Sequence, residues 1–182
     1  MNADHTAIVR RQDYCPPDFL IDDVELQFEL DPQATRVRTR MSVRRRPGAR
    51  ADAALVLNGE EIRLVDLALD GRRLPEGTWQ MDATQLTIPV EGDAASVEIV
   101  SETAPAANTA LSGLYMSGGN FITQCEAEGF RRITFFADRP DVMSRYRVTL
   151  RAARGQCPIL LSNGNLVGSG DCEDKPGWHW AT

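Results

Sequence analysis

Hydrophobic and polar positions alternate along most of the chain with the period of a half-buried β-strand. Val24, Leu26, Phe28 and Leu30 alternate with Glu25, Gln27 and Glu29. Asp31-Pro32-Gln33-Ala34 reads as a turn. Val37, Thr39, Met41 and Val43 then alternate with Arg36, Arg38, Arg40, Ser42 and Arg44, which completes an antiparallel hairpin. One outer face is acidic and the other basic, and such cross-strand pairs contribute ~0.2–1 kcal/mol each.

The same pattern continues. Ala53–Leu57 is a short apolar run closed by Asn58-Gly59. Ile62–Leu69 leads into Asp70-Gly71, a strong hairpin signal. Trp79–Val90 and Ser96–Ser101 follow, separated by a turn at Glu91-Gly92-Asp93. Tyr146–Ala152 alternates well, Ile159–Ser162 and Leu166–Val167 flank a hairpin turn at Asn163-Gly164-Asn165, and Trp178–Trp180 begins a last strand. Turn signals every ~8–12 residues predict an all-β fold, a saddle-like antiparallel β-sandwich. Thr103–Asp141 breaks the pattern: it holds several glycines and predicts an irregular loop with short helical turns, around Glu128–Phe136. No linker or repeat divides residues 1–182, so a single domain is expected. A chain ending inside a strand leaves an unpaired apolar edge, so the sequence is expected to belong to a longer polypeptide.

The 182 residues suffice for one buried core. The formal net charge of −6 argues against a nucleic-acid partner. Seven arginines between Arg36 and Arg50 do not alter this: no aromatic residues interleave for base stacking, and Glu25 and Glu29 match them. No apolar run approaches the ~18–20 residues of a membrane helix, so no membrane association is expected. The start has no basic stretch followed by an apolar one, so no secretory signal and a cytoplasmic location are expected. Cys15, Cys125, Cys157 and Cys172 form no C-x-x-C pair and are expected as reduced thiols. The two histidines, His5 and His179, do not build an H-E-x-x-H motif, so no catalytic zinc site is expected within the chain. His179 is expected to face opposite to Trp178 and Trp180.

One segment carries an identification. Thr123-Gln124-Cys125-Glu126-Ala127-Glu128-Gly129-Phe130-Arg131-Arg132-Ile133-Thr134-Phe135-Phe136, followed by Asp138-Arg139-Pro140-Asp141-Val142-Met143, closely resembles the N-terminal domain of the bacterial aminopeptidase N (alanyl aminopeptidase) family. Pro105–Tyr115, Leu160–Asn165, Tyr14–Phe19 and Leu57–Glu60 fit the same family, so the resemblance covers nearly the whole chain. It implies a saddle-shaped β domain preceding a thermolysin-like catalytic domain of the gluzincin class. The motifs of that domain, H-E-x-x-H and Gly-Ala-Met-Glu-Asn, are absent here. Zinc would therefore be bound by the rest of the polypeptide, and this chain alone would be inactive.

The resemblance also implies that Gln124 and Glu126 bind the N-terminal residue of a peptide substrate. A carboxylate is the natural partner of an α-ammonium, through charge-assisted hydrogen bonds, and an amide both donates and accepts. Without the resemblance, Glu126 is an ordinary loop carboxylate and Gln124 a loop hydrogen-bonder. Glu128 is an alternative ligand, but a charge at the start of a helical turn is its expected role. Cys125 is expected as a small buried residue rather than a nucleophile. Arg131, Arg132, Asp138, Arg139 and Asp141 are expected to form a bracing ion network, Phe135 and Phe136 to lie in the core, and Tyr115 and Met116 to pack. The expected partners are a peptide N-terminus and the catalytic domain of the same polypeptide. Two rivals remain open: a stand-alone β-sandwich binding module without peptidase activity, and the leukotriene-hydrolase branch of the same superfamily.

Overall fold

β1 (Phe19–Glu29) and β2 (Thr35–Arg45) pair antiparallel as the short turn between them requires, with Glu25 opposite Arg40 and Glu29 opposite Arg36. The turn between them is held by Asp31, whose Oδ1 accepts the N–H groups of Gln33 and Ala34 at 2.8 and 3.0 Å. These and all following statements concern residues 11–182, which a computed structural model of the chain describes; His5 lies outside them.

The other strands are β3 (Leu55–Asn58), β4 (Arg63–Leu69), β5 (Arg72–Arg73), β6 (Gln80–Met81), β7 (Gln85–Ile88), β8 (Ala94–Thr103), β9 (Gly113–Ser117), β10 (Asn120–Gln124), β11 (Arg145–Ala153), β12 (Ser169–Asp171) and β13 (Trp178–Ala181). Eight of them form one sheet in the order β12-β13-β11-β1-β2-β8-β4-β5; β3-β7-β6 and β9-β10 form two smaller ones. The fold is all-β. The expected antiparallel arrangement needs one correction: β1 and β11 run parallel, with Asp23 opposite Arg145 and Glu29 opposite Arg151. Alternation shows that a strand is half-buried but not the direction of its neighbour.

The core lies between the large sheet and the β3-β7-β6 sheet. Ile21, Val24, Val37, Met41, Val97 and Ile99 meet Leu55, Leu57, Leu86 and Ile88. Ile133, Phe135 and Phe136 join this cluster, as expected for the two phenylalanines. They arrive in irregular chain, not in a helical turn running to Phe136; only Pro105–Ala107 and Phe130–Arg132 form short 3-10 turns in the middle segment. Phe136 instead exchanges backbone hydrogen bonds with Asn58, at 2.7 and 3.0 Å. The segment is anchored to the large sheet by polar bonds inside the core. Thr134 and Thr39, both fully buried, share a 2.7 Å hydroxyl hydrogen bond, and Ser101 donates to the Ile133 carbonyl at 3.2 Å. Thr134→Val keeps the shape but orphans the Thr39 hydroxyl, so a loss of ~1–3 kcal/mol is expected, read as a lowered urea midpoint.

Three local expectations change. Trp79–Val90 is not one strand: β6 and β7 are separated by a turn in which Asp82 Oδ1 accepts the N–H groups of Thr84 and Gln85. Ile159–Ser162 and Leu166–Val167 form no hairpin. The edge of the sheet is taken by β12, and the C-terminal Thr182 carbonyl accepts the Val167 N–H at 2.6 Å. The middle segment holds a hairpin, β9-β10, turning at Gly118 (φ 56°) and Gly119 (φ 82°), which adopt the left-handed conformation that type I′ turns need. The basic face of β2 is also neutralised differently. Arg40 lies closer to Glu98 of β8 (3.2 Å) than to Glu25 (4.0 Å), and Arg36 pairs with Glu102 at 3.5 Å. Glu29 turns to Arg151 and Lys175.

Candidate functional site

The β9-β10 hairpin delivers Gln124 at its open end, where it pairs with Gly113. The chain then folds into a tight loop. The Gly129 N–H donates to the Cys125 carbonyl at 2.8 Å, and Gln124 Nε2 donates to the Glu126 carbonyl at 3.2 Å. The Glu126–Ala127 peptide is cis. Glycine is required at 129 because a Cβ there would lie 2.4 Å from the Gln124 carbonyl oxygen and 2.8 Å from the Cys125 Cα. Gln124 and Glu126 are both exposed on this loop. Among the described residues the Glu126 carboxylate makes no ion pair, whereas Glu128 sits 3.4 Å from Arg131. Glu128 therefore does not take the expected role at a helix start; it has φ 71° and serves as a partner of Arg131. Both carboxylates are exposed, and among the described residues Glu126 is the one of the two without an ion pair.

Cys125 is exposed, not buried as expected. Its thiol is nonetheless crowded: desolvation, and then the nearby Asp138 charge, push its pKa up and keep it protonated. Tyr115 and Met116 are half-buried on β9. His179 is buried between two half-buried tryptophans, as the alternation requires, and its Nε2 lies 2.6 Å from the Cys157 carbonyl oxygen.

The expected ion network resolves into two clusters. In the first, Arg131 is held by Asp138 and Glu60, and Arg132 by Glu60 and Glu61. In the second, Arg139 makes a bidentate pair with Asp141 at 2.8 Å, and the Tyr14 hydroxyl donates to Asp141 at 2.9 Å. Arg139 also donates to the Cys15 carbonyl, so the segment before β1 is strapped to the segment after the core. Reading the sequence missed Glu60, Glu61 and Tyr14 as members, because only the fold brings them near. Hydrogen bonds from Arg139 hold the Asp141 carboxyl at about 2, below its usual 3.8. A depressed carboxylate contributes stability that is complete above the unfolded value and is lost as the pH falls through the folded one. Urea midpoints should therefore decline as pH drops from 3.8 towards 2, and Asp141→Asn should flatten that decline.

Beside the loop, with Thr123 and Cys125 on its rim, opens a cleft of about 1020 Å³. Its floor is Leu26, Phe28 and Leu150 of the large sheet, and its far wall is the loop at 156–167. Ile159, Leu161, Leu166 and Val167 on that wall are 69–83% exposed, an unusual density of apolar side chains in contact with water. Among the described residues no group of three or more His, Cys, Asp or Glu side chains could hold a metal ion. The resemblance places zinc on the rest of a longer polypeptide, and the described residues offer no group that fits it.

The family model described as the peptidase M1 N-terminal domain matches residues 21–182. The chain is 50% identical over 181 residues to aminopeptidase N of Caulobacter vibrioides, covering 100% of this chain and 20% of that protein. It is 45% identical over 170 residues to aminopeptidase N of Escherichia coli, covering 93% and 19%. It therefore spans about one fifth of the length of these relatives. The crystal structure of Legionella pneumophila aminopeptidase A in complex with aspartic acid superposes with a TM-score of 0.85 at 30% identity, covering 93% of this chain and 20% of that one. An M1 zinc metallopeptidase from Deinococcus radiodurans shares the fold at 14% identity, with a TM-score of 0.72 and 90% and 38% coverage.

Proposed function

The chain belongs to the peptidase M1 N-terminal domain family, of the aminopeptidase N type, and from that premise we propose that its Gln124–Gly129 loop grips the free amine of a peptide substrate. The observation that carries the reading is the loop itself: an exposed carboxylate, Glu126, that makes no ion pair among the described residues, beside an amide whose orientation is set by its bond to the Glu126 carbonyl. An α-ammonium distinguishes a chain end from a chain middle, and an ionised carboxylate binds it through charge-assisted hydrogen bonds. Gln124 supplies an amide oxygen, accepting no bond among the described residues, to the first residue's backbone. Holding the amine also places the scissile carbonyl, so part of the benefit falls in kcat.

The remainder of a longer polypeptide would hold the zinc, which would supply water activation and carbonyl polarisation there. This chain's part is recognition and orientation. The exposed apolar wall at 156–167 and the adjoining cleft form the face on which the catalytic domain would sit, and a cytoplasmic setting accompanies the reading, consistent with four free cysteines.

The test compares alanyl anilide with its N-acetylated form as substrates of the full-length polypeptide. Hydrolysis of the free amine alone is expected, while the 182-residue chain by itself should hydrolyse neither and bind no stoichiometric zinc. Equal hydrolysis of the blocked substrate would remove the amine-recognition reading. Binding of an amino-acid amide with no hydrolysis by any longer form would favour a stand-alone binding module.

A further inference from the structure

We propose that Arg131 is a positioning residue for this amine-binding site, setting the place of Glu126 through Glu128; the proposal rests on the reading of Glu126 given above. The two hydrogen bonds that shape the loop, Gly129 N–H to the Cys125 carbonyl and Gln124 Nε2 to the Glu126 carbonyl, are internal to it. They give the loop its form but do not tie it to the body of the domain. Among the described residues, the loop's ion pair to that body is Glu128 Oε1 with Arg131 Nη2, at 3.4 Å. One residue, Ala127, separates Glu128 from Glu126. A shift of one carboxylate is therefore carried directly to the other.

Arg131 is built as a fixed post. Its side chain is 13% exposed, and its Nε and backbone N–H both donate to Asp138 Oδ2 at 3.1 Å. Nη2 donates to the Asp138 carbonyl at 3.0 Å, and Nη1 lies 3.6 Å from Glu60 Oε1. The Arg131 carbonyl accepts the Glu60 N–H at 3.0 Å. The two segments that supply these partners are themselves joined. Asn58 and Phe136 exchange backbone hydrogen bonds, and Asn58 Oδ1 accepts the Asp138 N–H at 3.3 Å. The line of connection thus runs from the end of β3, through Asp138 and Arg131, to Glu128 and the loop. A guanidinium serves three carboxylates at once because its donors form a rigid planar fork; a lysine ammonium at the end of a flexible stem does not.

The effect of a mispositioned binding group is large where the reacting geometry depends on it. Arg131→Met in the full-length polypeptide is expected to lower kcat/KM for an alanyl anilide by ~10–30-fold. Glu128→Ala, which cuts the same link from its exposed end and leaves the buried pairs intact, is expected to lower it ~3-fold, the scale of an exposed ion pair. The deciding measurement repeats both changes in a Glu126→Ala background, where each should cost less than ~2-fold, since the group they position is gone. Losses that multiply fully with that of Glu126→Ala would make Arg131 a structural residue only and overturn the proposal, as would an unimpaired Arg131→Met enzyme. If Arg131→Met fails to fold, the Glu128→Ala pair decides by the same criterion. A Glu126→Ala enzyme with undiminished activity would instead remove the site reading itself, and this proposal with it.

Discussion

Replacing Glu126 with alanine in the full-length polypeptide is expected to lower kcat/KM for an alanyl substrate by ~2–4 kcal/mol, roughly 30- to 1000-fold. The magnitude follows from the partner. A bound α-ammonium that has left water and loses its carboxylate keeps a desolvation cost that nothing offsets. The loss should divide between KM and kcat, because in the proposed reading the carboxylate would both hold the substrate and set the distance of its carbonyl from the reacting centre. Glu126→Gln separates charge from shape: it keeps the volume and a hydrogen-bond acceptor, so it should retain part of the binding while losing the charge-assisted component. Zinc content and thermal unfolding serve as controls. Neither should move, since Glu126 is exposed, makes no ion pair among the described residues and belongs to no metal-binding group. An alanine variant with near wild-type turnover would refute the assignment.

The second large effect comes from a residue without a side chain. Gly129→Ala would place a Cβ 2.4 Å from the Gln124 carbonyl oxygen, 2.8 Å from the Cys125 Cα and 2.9 Å from the Ser112 hydroxyl. Two of these are backbone atoms that cannot rotate away, so the loop must open and the Gly129 N–H to Cys125 bond must stretch or break. Overpacking of this kind costs ~1–3 kcal/mol where the chain stays put. Here the strained partners are Gln124 and Cys125 themselves, so the structure is expected to yield by moving the loop proposed to bind the amine. A displacement near 1 Å should cost ~10²-fold in kcat/KM with only a modest drop in Tm. Gly59→Ala gives the contrasting case. Its Cβ would fall 2.3 Å from the Phe135 ring, inside the core, so the damage should appear as lost stability. If Gly129→Ala kept full activity while Gly59→Ala destabilised the fold, the geometric link between the glycine and the site would be disproved.

What was legible in the chain follows from the range of the signals. Strand alternation is a property of neighbouring residues, and β1, β2, β8 and β11 lie where their side chains place them. Asp70-Gly71 turns the chain into β5 as its dipeptide predicts, with both residues in the left-handed region. The β9-β10 hairpin was missed although Gly118-Gly119 is a hairpin signal, because Gly113 and Ser117 dilute the alternation that should flank it. The segment at 159–167 failed in the opposite way. It carries apolar residues around Asn163-Gly164, yet those side chains are exposed and the strand positions beside β13 belong to β12. Apolar pattern reports a surface to be covered, and it does not say whether the cover is this domain or another part of a longer chain.

By itself the sequence determined the all-β class, the pairing of the first two strands and the segment in which Gln124 and Glu126 stand, because period, turn chemistry and a dense ordered motif are all local. Only the tertiary structure decided that β11 joins β1 in parallel, that Glu98 and Glu102 pair with the basic face of β2, and that Glu128 pairs with Arg131 while Glu126 makes no ion pair among the described residues. The strand direction and the pairs on β2 depend on hydrogen bonds and charges between residues far apart in the chain, and the Glu128–Arg131 pair, only three residues apart, depends on how the fold turns the backbone between them; electrostatic partners are chosen by distance in space.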